Sequence, residues 1–269
     1  MTAITAPDTR RGASLVPAAL DVALRTLRKF ARTPQLIVVG TIQGAMFLLI
    51  FRYVFGGAVT SFGLRYVDFL VPGFVTTGVL FTGTGSSAGI AEDVESGFFD
   101  RLRSLPIPRT SVITGRVLAD TGMLVWGTAV TTAIGFAVGF RLHASVPAAL
   151  AAFGLCIFFG FTFFWLFMLL GLVAGNAQAA QGMSLLVFPL TFVSSAYVPV
   201  RTMPGRMQAF ARNQPITFMV DAVRSLTDGN AARAVVGHST AYEVTGALLW
   251  CAVLIAVFAP LAVAKFRRG

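Results

Sequence analysis

Residues 155–172 read LCIFFGFTFFWLFMLLGL, an apolar run without a single charged group. A helix needs ~20 such residues to cross the ~30 Å of a bilayer's hydrocarbon. Six stretches meet or approach that requirement, at approximately 35–55, 69–90, 117–140, 147–173, 180–198 and 244–264. Pro72 and Pro189 interrupt the second and the fifth. Such prolines kink a span and are tolerated where neighbouring helices cover the freed carbonyl. The fifth is therefore expected as either a whole span or a broken, re-entrant one. Composition agrees: 56% of the chain is hydrophobic and 12% charged, against roughly 25% charged in soluble domains. Mean hydropathy is +0.78. The expected fold is an all-α membrane protein of six transmembrane helices. Residues 1–13 are expected as a disordered tail and 14–269 as one transmembrane domain. The first apolar run starts near Leu36, too far in for a signal peptide.

A net charge of +10 would suggest nucleic acid on a soluble protein. On a membrane protein the same basic residues report topology, and no nucleic-acid partner is expected. With the N-terminus inside, the cytoplasmic side holds Arg10, Arg11, Arg25, Arg28, Lys29 and Arg32, then Arg101, Arg103, Arg109 and Arg116, then Lys265, Arg267 and Arg268, thirteen of the 21. Both termini are thus expected in the cytoplasm. The dissent comes from residues 199–243, where Arg201, Arg206, Arg212, Arg224 and Arg233 lie outside under that arrangement.

Between the second and third spans the chain reads EDVESGFFDRLRSLP, residues 92–106. Six ionic groups crowd here: Glu92, Asp93, Glu95, Asp100, Arg101 and Arg103. Val94, Phe98, Leu102 and Leu105 fall on one helical stripe, Gly97 marks a bend, and Pro106 ends the pattern. Two readings fit a short amphipathic helix below the membrane. It lies flat on lipid, or it docks a protein. Its four acids disfavour the negative inner leaflet, and Phe98 with Phe99 offers aromatic area to a partner.

A second amphipathic helix is expected over 15–33. Val16, Leu20, Ala23, Leu24, Leu27 and Phe30 share one face, while Asp21, Arg25, Arg28, Lys29 and Arg32 share the other. Basic residues opposite an apolar stripe describe an elbow helix in the headgroup plane, drawn to membrane lipid. Pro34 turns the chain into the bilayer.

These features resemble the ABC-2 type transport permeases. Glu95, Gly97, Leu102 and Pro106 match the family's Glu-x-Gly-x-x-x-x-Leu-x-x-x-Pro loop after the second span. EDVESGFFDRLRSLPIPRTSVITGRVLAD, and the string from Pro189 to Gly229, are similar to the daunorubicin-resistance branch of drug and lipid exporters. Ser96 departs from the family, where a basic residue often follows the Glu. The resemblance implies a permease that dimerises with an identical or paralogous partner and pairs with two copies of a cytoplasmic ABC ATPase. It implies a multi-pass subunit of the plasma membrane, with MgATP on the ATPase and no cofactor bound by this chain. It also implies that Glu92, Asp93, Glu95, Gly97, Phe98, Phe99, Asp100, Arg101, Leu102, Leu105 and Pro106 form the coupling helix that docks on the ATPase. Residues 199–243 would hold a re-entrant or surface helical pair outside.

Nothing in the chain suggests catalysis. The two lysines, Lys29 and Lys265, follow no Gly-rich turn, and GTGSSAGI at 83–90 lacks the lysine of a phosphate loop. Its small residues suggest close helix packing, as do the pairs Gly85/Gly89, Gly40/Gly44, Gly135/Gly139 and Gly171/Gly175. His143 and His238 stand isolated near span ends, and Cys156 and Cys251 sit in different spans, so no metal or disulfide is expected. Asp120 is either an intramembrane functional acid or a helix-end partner of Arg116. Asn176, Gln178 and Gln181 fill a cytoplasmic turn, and Gln43 must face protein or a cavity. Gln43, Thr77, Phe81, Phe161, Phe164 and Trp165 are the candidates for a substrate path, against the alternative that such aromatics only pack. The expected function is ATP-driven export of a drug, antibiotic or lipid. Export of a polysaccharide or glycolipid carrier is the alternative. A lipid-modifying membrane enzyme would need a His, Asp or Glu constellation at one depth, and a stand-alone channel would need a charged ring.

Overall fold

A computed structural model describes residues 17, 20, 21, 23, 24, 27, 28, 32, 34–54, 56, 64–98 and 109–268, with side chains in α1 at 42 and from 44, and in α3 from 115. All its regular structure there is helical. The elements are α1 (Pro34–Val54), α2 (Tyr66–Glu95), α3 (Arg109–Ala137), α4 (Val146–Ala174), α5 (Ala177–Ser184), α6 (Phe188–Phe192), α7 (Gly205–Asn213), α8 (Pro215–Asp228), α9 (Asn230–Val236) and α10 (Thr240–Arg268). Among the described residues α2, α3 from Gly115, α4 and α10 are long and apolar enough to cross a membrane, and α1 adds a shorter apolar stretch, Gly44–Val54. The protein is thus an all-α membrane protein, with four of the six expected spans meeting the requirement in full.

Lipid tails are as apolar as leucine, so helices in a bilayer associate through close packing and hydrogen bonds rather than water exclusion. The structure follows that rule. α2 and α4 form the centre, and the apolar stretch of α2 is 78% buried against 17% in α10. Phe69, Leu70, Val79, Phe159, Phe164 and Phe167 fill the space between them. Glycines permit the approach. A Cβ at Gly83 would collide with the Phe167 ring, one at Gly73 with the Ala196 backbone, and one at Gly160 with Val79 and Leu124. The paired-glycine expectation needs correction here. Gly89, Gly135 and Gly171 are closely packed, but Gly44, Gly85, Gly139 and Gly175 face open space.

The expected fifth span is not a single crossing helix. α5, a 3-10 turn at Leu185–Val187 and α6 run on without a break. Together they extend about 24 Å, short of the ~30 Å needed. The 3-10 turn sits where Pro189 withholds the N–H that would have bonded the Leu185 carbonyl. After α6 the chain turns part-way along the bundle. Ala196 abuts Gly73, and the Tyr197 hydroxyl lies 2.9 Å from Thr77 Oγ1. Thr77 is about 16 Å along α2 from Tyr66. From there α8 climbs back. Its preceding residue Gln214 donates to the Leu190 and Val193 carbonyls, and near its end the Thr227 carbonyl accepts from His143 N and Ala144 N.

Described residues between 17 and 28 are helical. Ala23 is buried and Leu27 reaches towards Gly122 of α3, while Asp21 and Arg28 are exposed. Leu20 and Leu24, from the same apolar stripe, remain exposed.

Candidate functional site

Two polar clusters mark the two ends of the bundle. The first lies where α2 finishes and α3 begins. Arg116, on the first buried turn of α3, donates to Asp93 Oδ2 at 2.6 Å, to Asp120 Oδ2 at 3.2 Å and to the Ser86 carbonyl at 3.4 Å. Ser86 Oγ also donates to Asp120. Of the two roles open to Asp120, the structure supports the helix-end partner of Arg116, and it adds Asp93. A Cβ on Gly89 would press on the Arg116 guanidinium, so this glycine makes room for the charge.

The candidate coupling segment starts at this cluster. Glu92, Asp93 and Glu95 form the last turn of α2, with Glu92 and Glu95 exposed. Ser96 N bonds the Glu92 carbonyl, and Gly97 then adopts φ +64. That left-handed turn is strained for a residue with a Cβ. It corrects the expected single stripe: Val94 belongs to α2, and Phe98 lies beyond the turn. Phe98 packs against a small core of Ile90, Val117, Met168, Ala262 and Phe266, contributed by four helices. Phe99, Asp100, Arg101, Leu102, Leu105 and Pro106 lie outside the described residues.

The opposite end holds a larger lattice. Arg224 is completely buried on α8. It donates to Asp221 Oδ1 at 2.7 Å, to the Phe69 carbonyl at 3.0 Å and to the Ser195 carbonyl at 3.0 Å, with its guanidinium 3.9 Å above the Phe69 ring. One side chain thus joins α8, α2 and the turn after α6. Asp68 accepts from Arg65 Nε at 2.7 Å and from Arg141 N at 3.1 Å, tying α2 to the α3–α4 loop. The two histidines are not isolated, contrary to expectation. His143 Nδ1 lies 3.1 Å from Asp228 and His238 Nδ1 lies 3.1 Å from Glu243, both carboxylates being buried.

Burial pushes the Asp228 carboxyl up to about 6, against the hydrogen bonds from His143 and Thr227 and the Arg224 charge. A carboxyl raised by folding contributes stability that is complete below its unfolded value of about 4 and lost as pH rises through its folded value. The melting temperature of the detergent-purified chain should therefore fall between pH 5 and pH 7. Asp228→Asn should make that decline shallower; an equal slope in the variant would exclude Asp228 as a source.

The expected substrate-path residues do not share one surface. Thr77 is buried against Tyr197, and Phe164 is core. Phe161 and Trp165 meet edge to face and pack against the Ile90 cluster. The Gln43 side chain lies outside the described residues. Phe81 differs. It is exposed, meets Phe188 edge to face at 4.6 Å, and borders a crevice with Leu80, Thr84, Phe167, Ser184 and Thr191. The hydroxyls of Thr84, Ser184 and Thr191 all bond their own helix carbonyls, so this wall is effectively apolar.

A family model described as ABC-2 type transporter matches residues 22–227. The chain belongs to that family. The permease is 32% identical to a daunorubicin resistance ABC transporter permease protein of Streptomyces coeruleorubidus, over 99% of this chain and 92% of the relative. It is 24% identical, over 91% of this chain and 86% of the relative, to a Mycobacterium tuberculosis protein named "Probable doxorubicin resistance ABC transporter permease protein". Members of this family are transport permease subunits, and catalysis is not their general role.

Proposed function

We propose that this permease is the membrane subunit of an exporter that moves a hydrophobic or amphipathic compound out across the plasma membrane. It works with a second permease, identical or paralogous, and with two copies of a cytoplasmic ATPase that carry MgATP. Both termini and the α2–α3 connection face the cytoplasm. The drug-resistance names of its relatives support the class of cargo. The apolar crevice at Phe81 and Phe188 supports a lateral contact for such a molecule.

The observation that carries the reading is the Arg116 bridge. Asp93, Arg116, Asp120 and Ser86 lock the last turns of α2 to the start of α3. The ties across the two helices are the part-buried Arg116–Asp93 pair, the Ser86–Asp120 hydrogen bond and the bond from Arg116 to the Ser86 carbonyl, so the two helices respond to a push as one body. Phe98 extends that body to α4 and α10. A cytoplasmic motor pressing on residues 92–106 would therefore reach four helices at once.

The test is co-expression of the permease with its ATPase. Phe99→Ala and Leu102→Ala should leave permease yield intact while ATPase recovery falls about thirtyfold, the effect of losing an anchor worth ~2 kcal/mol. Phe98→Ala should combine that loss with some destabilisation, because Phe98 also packs within its own chain. Native ATPase recovery and native transport in all three variants would sink the coupling assignment.

A further inference from the structure

The arginines that oppose the positive-inside rule differ in kind. Arg224 is committed to Asp221 and to the Phe69 and Ser195 carbonyls. Arg201, Arg206 and Arg212, on or just before α7, are exposed. Among the described residues Arg206 has no carboxylate partner, and Arg212 bonds Gln208 Oε1 at 3.0 Å. No acidic residue occurs anywhere between Asp120 and Asp221.

Their position makes this charge informative. Arg212 stands two residues before Gln214, which is pinned to the Leu190 and Val193 carbonyls beside the turn that reaches Thr77. The end of α7 is thus held part-way down the bundle rather than above it. A guanidinium facing hydrocarbon at such depth is strongly disfavoured, so charged groups there face protein or water-filled space. Only Ala211 of α7 is fully buried. The rest of α7 is exposed or half-buried.

We propose that α7 receives the anionic head group, a phosphate or carboxylate, of the amphiphile that the permease moves. This rests on the export reading above. Guanidinium forks bind phosphate and carboxylate through paired hydrogen bonds. Phe210 and Met207, 52% and 41% exposed, stand within a turn of Arg206 and give an apolar flank to the same surface. The junction of α7 and α8 and the crevice meet at α6: Phe188 and Thr191 line the crevice, and the Leu190 carbonyl holds Gln214. The segment that carries Arg212 and the crevice are thus tied to the same short helix.

The full-length permease, purified in a neutral maltoside detergent, is titrated with two fluorescent lipids of identical chains, one a phosphatidylglycerol and one a phosphatidylcholine. The anionic lipid should bind about tenfold tighter, an advantage that shrinks with salt. Arg206→Gln with Arg212→Gln should reduce it to the affinity of the neutral lipid, leaving that affinity and the elution profile unchanged. Equal binding of both lipids by the native protein overturns the proposal, as does a preference that survives in the variant. Arg206→Cys disulfide-linked to a second copy would also overturn it, since another permease would then cover this face. Failure of the export reading looks different: neither lipid binds, and no ATPase co-purifies.

Discussion

Arg224→Ala should abolish recovery of monodisperse permease from detergent extracts. The guanidinium is completely buried and satisfies Asp221 and the carbonyls of Phe69 and Ser195 while stacking on the Phe69 ring. Truncating it leaves the Asp221 charge uncompensated and frees two carbonyls at once. Loss of one partner of a buried ion pair costs about 3–5 kcal/mol, a large share of a total stability of about 5–15 kcal/mol. Arg224→Lys keeps the charge but cannot span three acceptors with one ammonium, so it should melt between the native protein and the alanine variant. Arg224→Met combined with Asp221→Leu should recover part of the loss, because no charge is then stranded. Size-exclusion profiles and melting curves read these outcomes. An Arg224→Ala profile and melt matching the native protein would show that the lattice does not hold α8 in place.

The second large effect is steric and comes with an internal control. Gly83 and Gly85 are neighbours in the same glycine-rich stretch of α2. A Cβ on Gly83 would strike the ring of Phe167, which is fully buried, whereas one on Gly85 meets nothing within 4 Å. Gly83→Val should therefore force α2 and α4 apart, at about 1–3 kcal/mol for an overpacked core. Gly85→Val adds a side chain to open space and should leave the melt close to native. Equal melting of the two variants would mean that α2 and α4 do not approach at Gly83.

Part of the polar cluster at the α2–α3 end is legible in the amino-acid sequence. Arg116 and Asp120 lie four residues apart, a spacing that places them on one helix face, and the pair forms. Asp93 joins them from 23 residues away, and no local periodicity announces a contact of that kind. His143 misleads for the same reason: it looks solitary in sequence, yet it meets Asp228 from 85 residues away. Phe81 is exposed, whereas Phe161, Phe164 and Trp165 carry the same signal in the sequence and pack instead. An aromatic residue in a span is compatible with both fates, and only the position of the neighbouring helix separates them.

The sequence by itself determined the class of the protein. Apolar runs of spanning length, few charges, proline-bounded spans and the residues around Glu95 and Gly97 are local properties, and a helix in hydrocarbon is settled locally because its backbone bonds close within the segment. Tertiary structure decided what those properties leave open. It decided that α2 and α4 form the centre while α10 stays on the surface, that the run after Ala177 stops part-way, and that Arg224 is a buried tie while Arg206 and Arg212 remain exposed. The physical reason is the solvent. When lipid and protein interior are equally apolar, hydrophobicity cannot say which face turns inward, and close glycine contacts and buried polar bonds between distant residues make that choice.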